Sequence, residues 1–260
     1  MVSGSFKTTL EIQAADVTKP ELEPRWIPRT FTLDNYKNVN KTVRMLDYFR
    51  NSIIISLGTM VLSIVVSISA AYALSRFDFK GKNTLALGVA STQMFPGIAF
   101  LIPYFILFSL ANRYLGLRLI NTYHGMIFTY TTFAIPFCIL MLRNFLDSVP
   151  REIDEQARID GCSHLGALFR VIIPLSTPGI VAVGIYSFIM AWNEVLFASI
   201  LTGRATKTVA IGLLEYITAQ QARWSGMMAA CILVSIPVLI LFTFMQKQIV
   251  EGLVSGATKG

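Results

Sequence analysis

The sequence predicts an all-α protein that crosses a lipid bilayer several times. Three observations predict it. Only 14% of the 260 residues are charged while 54% are hydrophobic, whereas a soluble domain carries about 25% charged residues. Five apolar runs reach the roughly 20 residues that a spanning helix needs. The polar residues collect between those runs instead of alternating with them. So few charges cannot cover a water-soluble globule, and the mean hydropathy of +0.59 agrees.

The runs are Ile53 to Leu74, Thr84 to Leu110, Tyr123 to Leu142, Val171 to Leu201 and Met227 to Met245. Each is expected to be a helix, because a segment in lipid must satisfy its own backbone hydrogen bonds. Pro96, Pro103, Pro136, Pro174, Pro178 and Pro237 fall within them. Each proline removes one backbone donor and favours a kink, either as ordinary packing or as a hinge along a translocation path. The Val171 to Leu201 run is overlong for one crossing and contains Glu194, the only acid within a run.

Residues 1 to 52 are polar, with Pro20, Pro24 and Pro28 among Trp26, Phe31 and Tyr36. They read as an extended extramembrane arm, with short helices around Thr32 to Val39 and Val43 to Phe49. Residues 53–246 form the membrane domain, including a polar loop at 143–170, and 247–260 form a tail. The net charge of +7 does not point to nucleic acid, because the basic residues are scattered between apolar runs. They suit span ends that meet anionic headgroups. With the arm set aside, the face holding the 143–170 loop leads by nine basic residues to five, which places that loop in the cytosol by the positive-inside rule. Counting the arm removes the lead.

Cys138, Cys162 and Cys231 lack metal-ligand spacing, and His124 and His164 stand apart. No metal and no cofactor are expected. The chain contains no GxxxxGK[ST] phosphate loop, since Gly203 to Thr208 has the wrong spacing. Nor is there a nucleophile with a partnered base, so the chain is expected not to be an enzyme.

The polar loop carries the most structure. Ser148, Pro150 and Glu152 form a helix-start signal. Arg151 with Glu155, and Asp154 with Arg158, are spaced for i,i+4 pairs worth about 0.2–0.5 kcal/mol each. Gly161 permits a sharp turn, and Ser163 can cap a second helix. Leu165, Leu168, Phe169 and Ile172 then fall at helical spacing and predict one apolar face. The residues alone leave two readings: a docking element for another protein, or a helix pair lying on headgroups.

A resemblance decides between them. Glu155-Gln156-Ala157, then Gly161, then Val171-Ile172-Ile173-Pro174 resembles, without gaps, the signature loop of permease subunits of ATP-binding-cassette importers. Gln156 departs from the usual Ala, and Asp160 before Gly161 fits the common Asp-Gly pair. Ala191-Trp192-Asn193-Glu194 is similar to a recurring segment of the carbohydrate branch, and the stretch from Gln248 to Gly260 resembles the end of the maltose-type inner permease subunit. The resemblance implies a plasma (inner) membrane permease of a bacterium or archaeon, forming half of a pathway for a sugar or oligosaccharide. It also implies a second permease subunit, a cytosolic ATPase dimer and an extracytoplasmic solute-binding protein as partners, with the bilayer as solvent and no nucleic acid. Glu155, Ala157, Asp160 and Gly161 become the expected ATPase-docking residues, and the C-terminal tail is expected to reach toward the ATPase. Asn193 and Glu194 are pathway or gate candidates, because an ionisable group within a span is costly unless it has a use.

The family usually has six spans in this subunit and five are visible, so a first span is expected to precede Met1. Three competing readings remain at this stage. One is a carrier driven by an ion gradient, with Glu194 as its only membrane acid. Another is an importer of a glycerol phosphate or polyol. The third is a structural or assembly membrane protein.

Overall fold

The structure is a computed structural model that describes residues 1–13, 25–217 and 223–257. Pro20, Pro24 and the last three residues of the tail lie outside those described. All regular structure among the described residues is helical.

The arm is more ordered than an extended segment. Helices α1 (Val2–Ser5) and α2 (Thr9–Gln13) precede α3 (Asp34–Thr42). The second helix expected in the arm is instead the first turn of α4 (Met45–Arg76), a 32-residue span that begins well before Ile53. Its buried face reads Asn51, Ser52, Ile55, Ser56, Thr59, Ser63, Ser67, Ala71 and Ser75. Small side chains at that spacing let neighbouring backbones approach closely, which is how helices associate where lipid supplies no hydrophobic drive.

The second predicted span is broken. Helix α5 (Lys82–Ser91) ends in two 3₁₀ turns, Thr92–Met94 and Gly97–Phe100, before α6 (Leu101–Leu115). Pro96 explains the break: it has no amide proton and forces the residue before it out of the helical region, and Phe95 is extended with ψ 131°. Gly97–Leu115 alone is long and apolar enough to cross a bilayer. Pro103 lies in the first turn of α6, where no hydrogen bond is lost.

Helix α7 (Tyr123–Ser148) starts at Thr122, whose hydroxyl accepts from the Gly125 amide at 3.3 Å. Then come α8 (Arg151–Ile159), α9 (His164–Ala167), a π-helical stretch Leu168–Ile172, and α10 (Ile173–Leu175). Helix α11 (Thr177–Trp192) leaves this segment at an angle of 81°. Pro174 and Pro178 each occupy the start of a helical piece. The expected continuous run from Val171 to Leu201 is therefore a bent segment. It breaks again at 193–195 before α12 (Leu196–Leu201). Helix α13 (Val209–Leu214) and the long α14 (Trp224–Ala257) complete the chain. The tail therefore continues the last span as helix through Ala257.

Helices α4, α7 and α11 pack on one another as the core. One cluster, at the polar-loop end, joins Ile68, Ala71 and Tyr72 with Ala134, Cys138, Leu142, Leu168, Ile172 and Val183. Another, at the arm end, joins Val39, Tyr48, Phe188, Trp192, Tyr216 and Ala229. The arm is sewn to α14 and to the segment after α13 there: Thr9 and Ser225 hydroxyls meet at 2.9 Å, and the Tyr216 hydroxyl donates to the Val39 carbonyl at 3.1 Å.

Candidate functional site

Ser148 does not cap α8. It closes α7, donating its hydroxyl to the Phe145 carbonyl at 2.7 Å, and Pro150 stands at the α8 N-cap instead. Neither i,i+4 pair forms. Arg151 reaches across to the end of α4, donating to the Ser75 carbonyl at 3.0 Å and lying 3.5 Å from Asp78. Asp154 is 6% exposed and accepts from the Tyr72 hydroxyl at 3.0 and 3.2 Å. Asp154 has a buried partner in place of the exposed pair that spacing allowed, which gains little in water. Lys82 donates to Asp78 at 3.1 Å, and this bond, together with the nearby Arg151, holds the Asp78 carboxyl below the usual carboxylate range.

Helix α8 ends in a Schellman turn. Gly161 has φ +90°, its amide donates to the Arg158 carbonyl, and the Cys162 amide donates to Ala157, both at 3.0 Å. The left-handed backbone is the reason for glycine here, since no neighbour lies within 4 Å of an added Cβ. Ser163 then caps the next helix as expected, accepting from Gly166 at 3.1 Å.

The predicted single apolar face is instead two faces. Leu168 and Ile172 are buried, whereas Leu165 and Phe169 are about two-thirds exposed. The π-helical stretch widens the turn and separates them.

Of the expected docking residues, Glu155, Asp160 and Gly161 are exposed and Ala157 is buried beneath them. Among the described residues nothing pairs with the Glu155 carboxylate. Ile159, 84% exposed, is a further candidate that the sequence reading missed. Its signal was there: a large apolar residue beside the Asp160-Gly161 turn of a largely polar helix.

Asn193 and Glu194 lie at the far end of α11, and the structure does not bring them near the loop. Asn193 donates back to the Ile189 carbonyl at 3.1 Å. Glu194 accepts from the Phe197 and Ala198 amides at 3.0 and 3.1 Å. It stands one residue before Val195, the N-cap of α12, and its carboxylate meets the positive end of that short helix. A carboxylate with both oxygens engaged this way is positioned by the backbone and rigid. Among the described residues no three His, Cys, Asp or Glu side chains gather as a metal site.

Comparison with known proteins places this architecture in the class of importer permeases. Residues 63–254 match the family described as binding-protein-dependent transport system inner membrane component. The sulfoquinovosyl glycerol transport permease SmoH of Agrobacterium fabrum is 33% identical, covering 98% of this chain and 86% of that protein. The diacetylchitobiose uptake permease DasC of Streptomyces coelicolor is 32% identical over 100% and 90%. The trehalose permease SugB of Mycobacterium tuberculosis is 35% identical over 90% and 84%. A bacterial transporter that imports alginate shares the fold, with a TM-score of 0.73 and 24% identity over 95% of this chain and 87% of its own. The chain belongs to the family of inner-membrane permease components of binding-protein-dependent transport systems. It is a transport permease of the ATP-binding-cassette type, resident in the inner membrane.

Proposed function

We propose that the chain forms half of the transmembrane path of an ATP-driven carbohydrate importer, and that α8 with its Schellman turn is where a cytosolic ATPase docks. The observation that carries the docking is the division of labour within α8. Arg151, Asp154 and Ala157 hold the helix to the membrane domain, while the side chains of Glu155, Ile159 and Asp160 are exposed and make no described hydrogen bond or ion pair. Such a helix is rigid on one side and offers two carboxylates and an apolar side chain on the other. ATP binding closes the ATPase pair as a rigid-body motion, and α8 receives it. A second permease subunit supplies the other half of the path and a solute-binding protein delivers substrate on the opposite face.

The relatives named for sulfoquinovosyl glycerol, diacetylchitobiose and trehalose support a glycoside or small oligosaccharide as the solute. The chain itself hydrolyses no ATP under this reading.

Reconstitution of the permease pair with its ATPase and binding protein tests it. Glu155→Lys and Gly161→Pro are expected to lower ATP-driven sugar uptake at least about tenfold, with the amount of inserted permease unchanged. Normal uptake in both variants would overturn the docking role. Uptake that proceeds without the ATPase under an ion gradient would overturn the importer reading.

A further inference from the structure

The last turn of α4 is attached to both halves of the docking loop. The Tyr72 hydroxyl, on a side chain 4% exposed, shares its single proton between the two Asp154 oxygens, at 3.0 and 3.2 Å, with the His164 carbonyl beyond at 3.4 Å. Ser75 donates to Asp147 at 2.6 Å and its carbonyl receives Arg151. Arg76 donates to the Val149 carbonyl at 2.9 Å. The Phe77 ring lies 5.9 Å from the Tyr72 ring and 4.9 Å from that of His164. Residues on both sides of the Gly161 turn are thus held by Tyr72 through Phe77.

The covalent route out of the loop is built differently. Between α9 and α11 the chain passes through a π-helical stretch and Pro174, which has no amide to bond. It then turns by 81° near Ser176. A joint of that kind absorbs movement by bending. Even there, Leu168 and Ile172 are buried against the α4 and α7 cluster.

We propose that Tyr72 and Asp154 form a latch that makes α8 and the end of α4 one rigid body, so that movement of a docked ATPase enters the membrane domain through α4 before it reaches α11. Tyr72 is a positioning residue: it touches neither ATPase nor solute and acts by fixing the helix that carries Glu155. The proposal rests on the docking role of α8. The latch is made of a buried hydrogen bond to a charged acceptor, stronger than a neutral one and costly to leave half-made.

The test uses the reconstituted complex of permeases, ATPase and binding protein, and reads solute moved per ATP hydrolysed. Tyr72→Phe removes one hydroxyl and is expected to lower that ratio about tenfold while the ATPase still co-purifies. Asp154→Ala is expected to do the same, Asp154→Asn to recover most of the loss, and the double Tyr72→Phe/Asp154→Ala to be no worse than either alone. An unchanged ratio in Tyr72→Phe, or loss of the ATPase from that variant, overturns the latch. A second measurement does not depend on the variants folding well. Spin labels at Lys80→Cys and Glu152→Cys should keep one separation in nucleotide-free and vanadate-trapped complexes, and a changed separation overturns the rigid unit. Glu155→Lys in the same preparation separates the two ideas, because failure of docking shows there as retained ATPase and normal uptake.

Discussion

Glu194 lies within an apolar run and Glu155 within the polar loop, and the structure uses them in opposite ways. Glu194 turns inward on its own backbone, capping α12 with both oxygens. Glu155 sits on a helix whose anchoring is done by its neighbours, and its own carboxylate stays exposed. The sequence presents Glu194 as a costly acid within a span and Glu155 as one acid of a polar loop. The difference lies in who satisfies them. A carboxylate met by local amides is a structural part. One held out on a rigid helix with no internal partner is available to another protein. The contrast teaches that burial cost alone does not mark function in a membrane protein; the location of the unpaired group does.

The comparison can be broken from either side. The largest effect is expected at Ile159. If the exposed face of α8 is a docking surface, Ile159→Asp should reduce ATPase co-purification with the permease about tenfold or more, since an apolar contact at the middle of an interface becomes a buried charge. Normal co-purification would remove the apolar half of the proposed surface. Glu194 should behave as a cap. Glu194→Ala is expected to cost about 1 kcal/mol of stability, seen as a lower unfolding temperature of the purified complex, and Glu194→Gln should recover part of it. A loss of transport in both with no change in unfolding temperature would move Glu194 into the pathway class and sharpen the contrast in the other direction. Smaller still is Gly161→Ala. The added methyl meets nothing, so the cost is the left-handed backbone alone, about 1 kcal/mol. Hydrogen exchange at the Cys162 amide should speed up by roughly the fivefold that this energy implies, while exchange in α7 stays as it was.

Much of this was legible in the chain itself. The apolar runs located α4, α7 and α14, because the length needed to cross lipid is fixed by the bilayer. The Gly161 turn and the Ser163 cap were legible because both are local backbone chemistry. What escaped was decided at long range. Spacing offered Arg151 to Glu155 and Asp154 to Arg158, and nothing in the neighbouring residues revealed that Ser75, Asp78 and Tyr72 would take Arg151 and Asp154 instead. The same reason hid the two-faced segment from Leu165 to Ile172, where a π-helical turn shifts the register that a regular helix would keep. Pro96 was visible as a proline within a run, but the reading kept that run as one span. The structure divides it, because Phe95 must be extended before the ring and two 3₁₀ turns then fill the gap.

The order of the anchors along the chain bears on biogenesis. Every side-chain hydrogen bond and ion pair described for Arg151 and Asp154 is made with a residue that comes earlier, from Tyr72 to Asp78. Tyr72 precedes its partner by 82 residues. As synthesis proceeds from the N-terminus, the end of α4 is therefore made before α8. The nine residues of α8 are too few for a stable helix in water. Their fold therefore depends on a partner surface at the end of α4 that is synthesised before them.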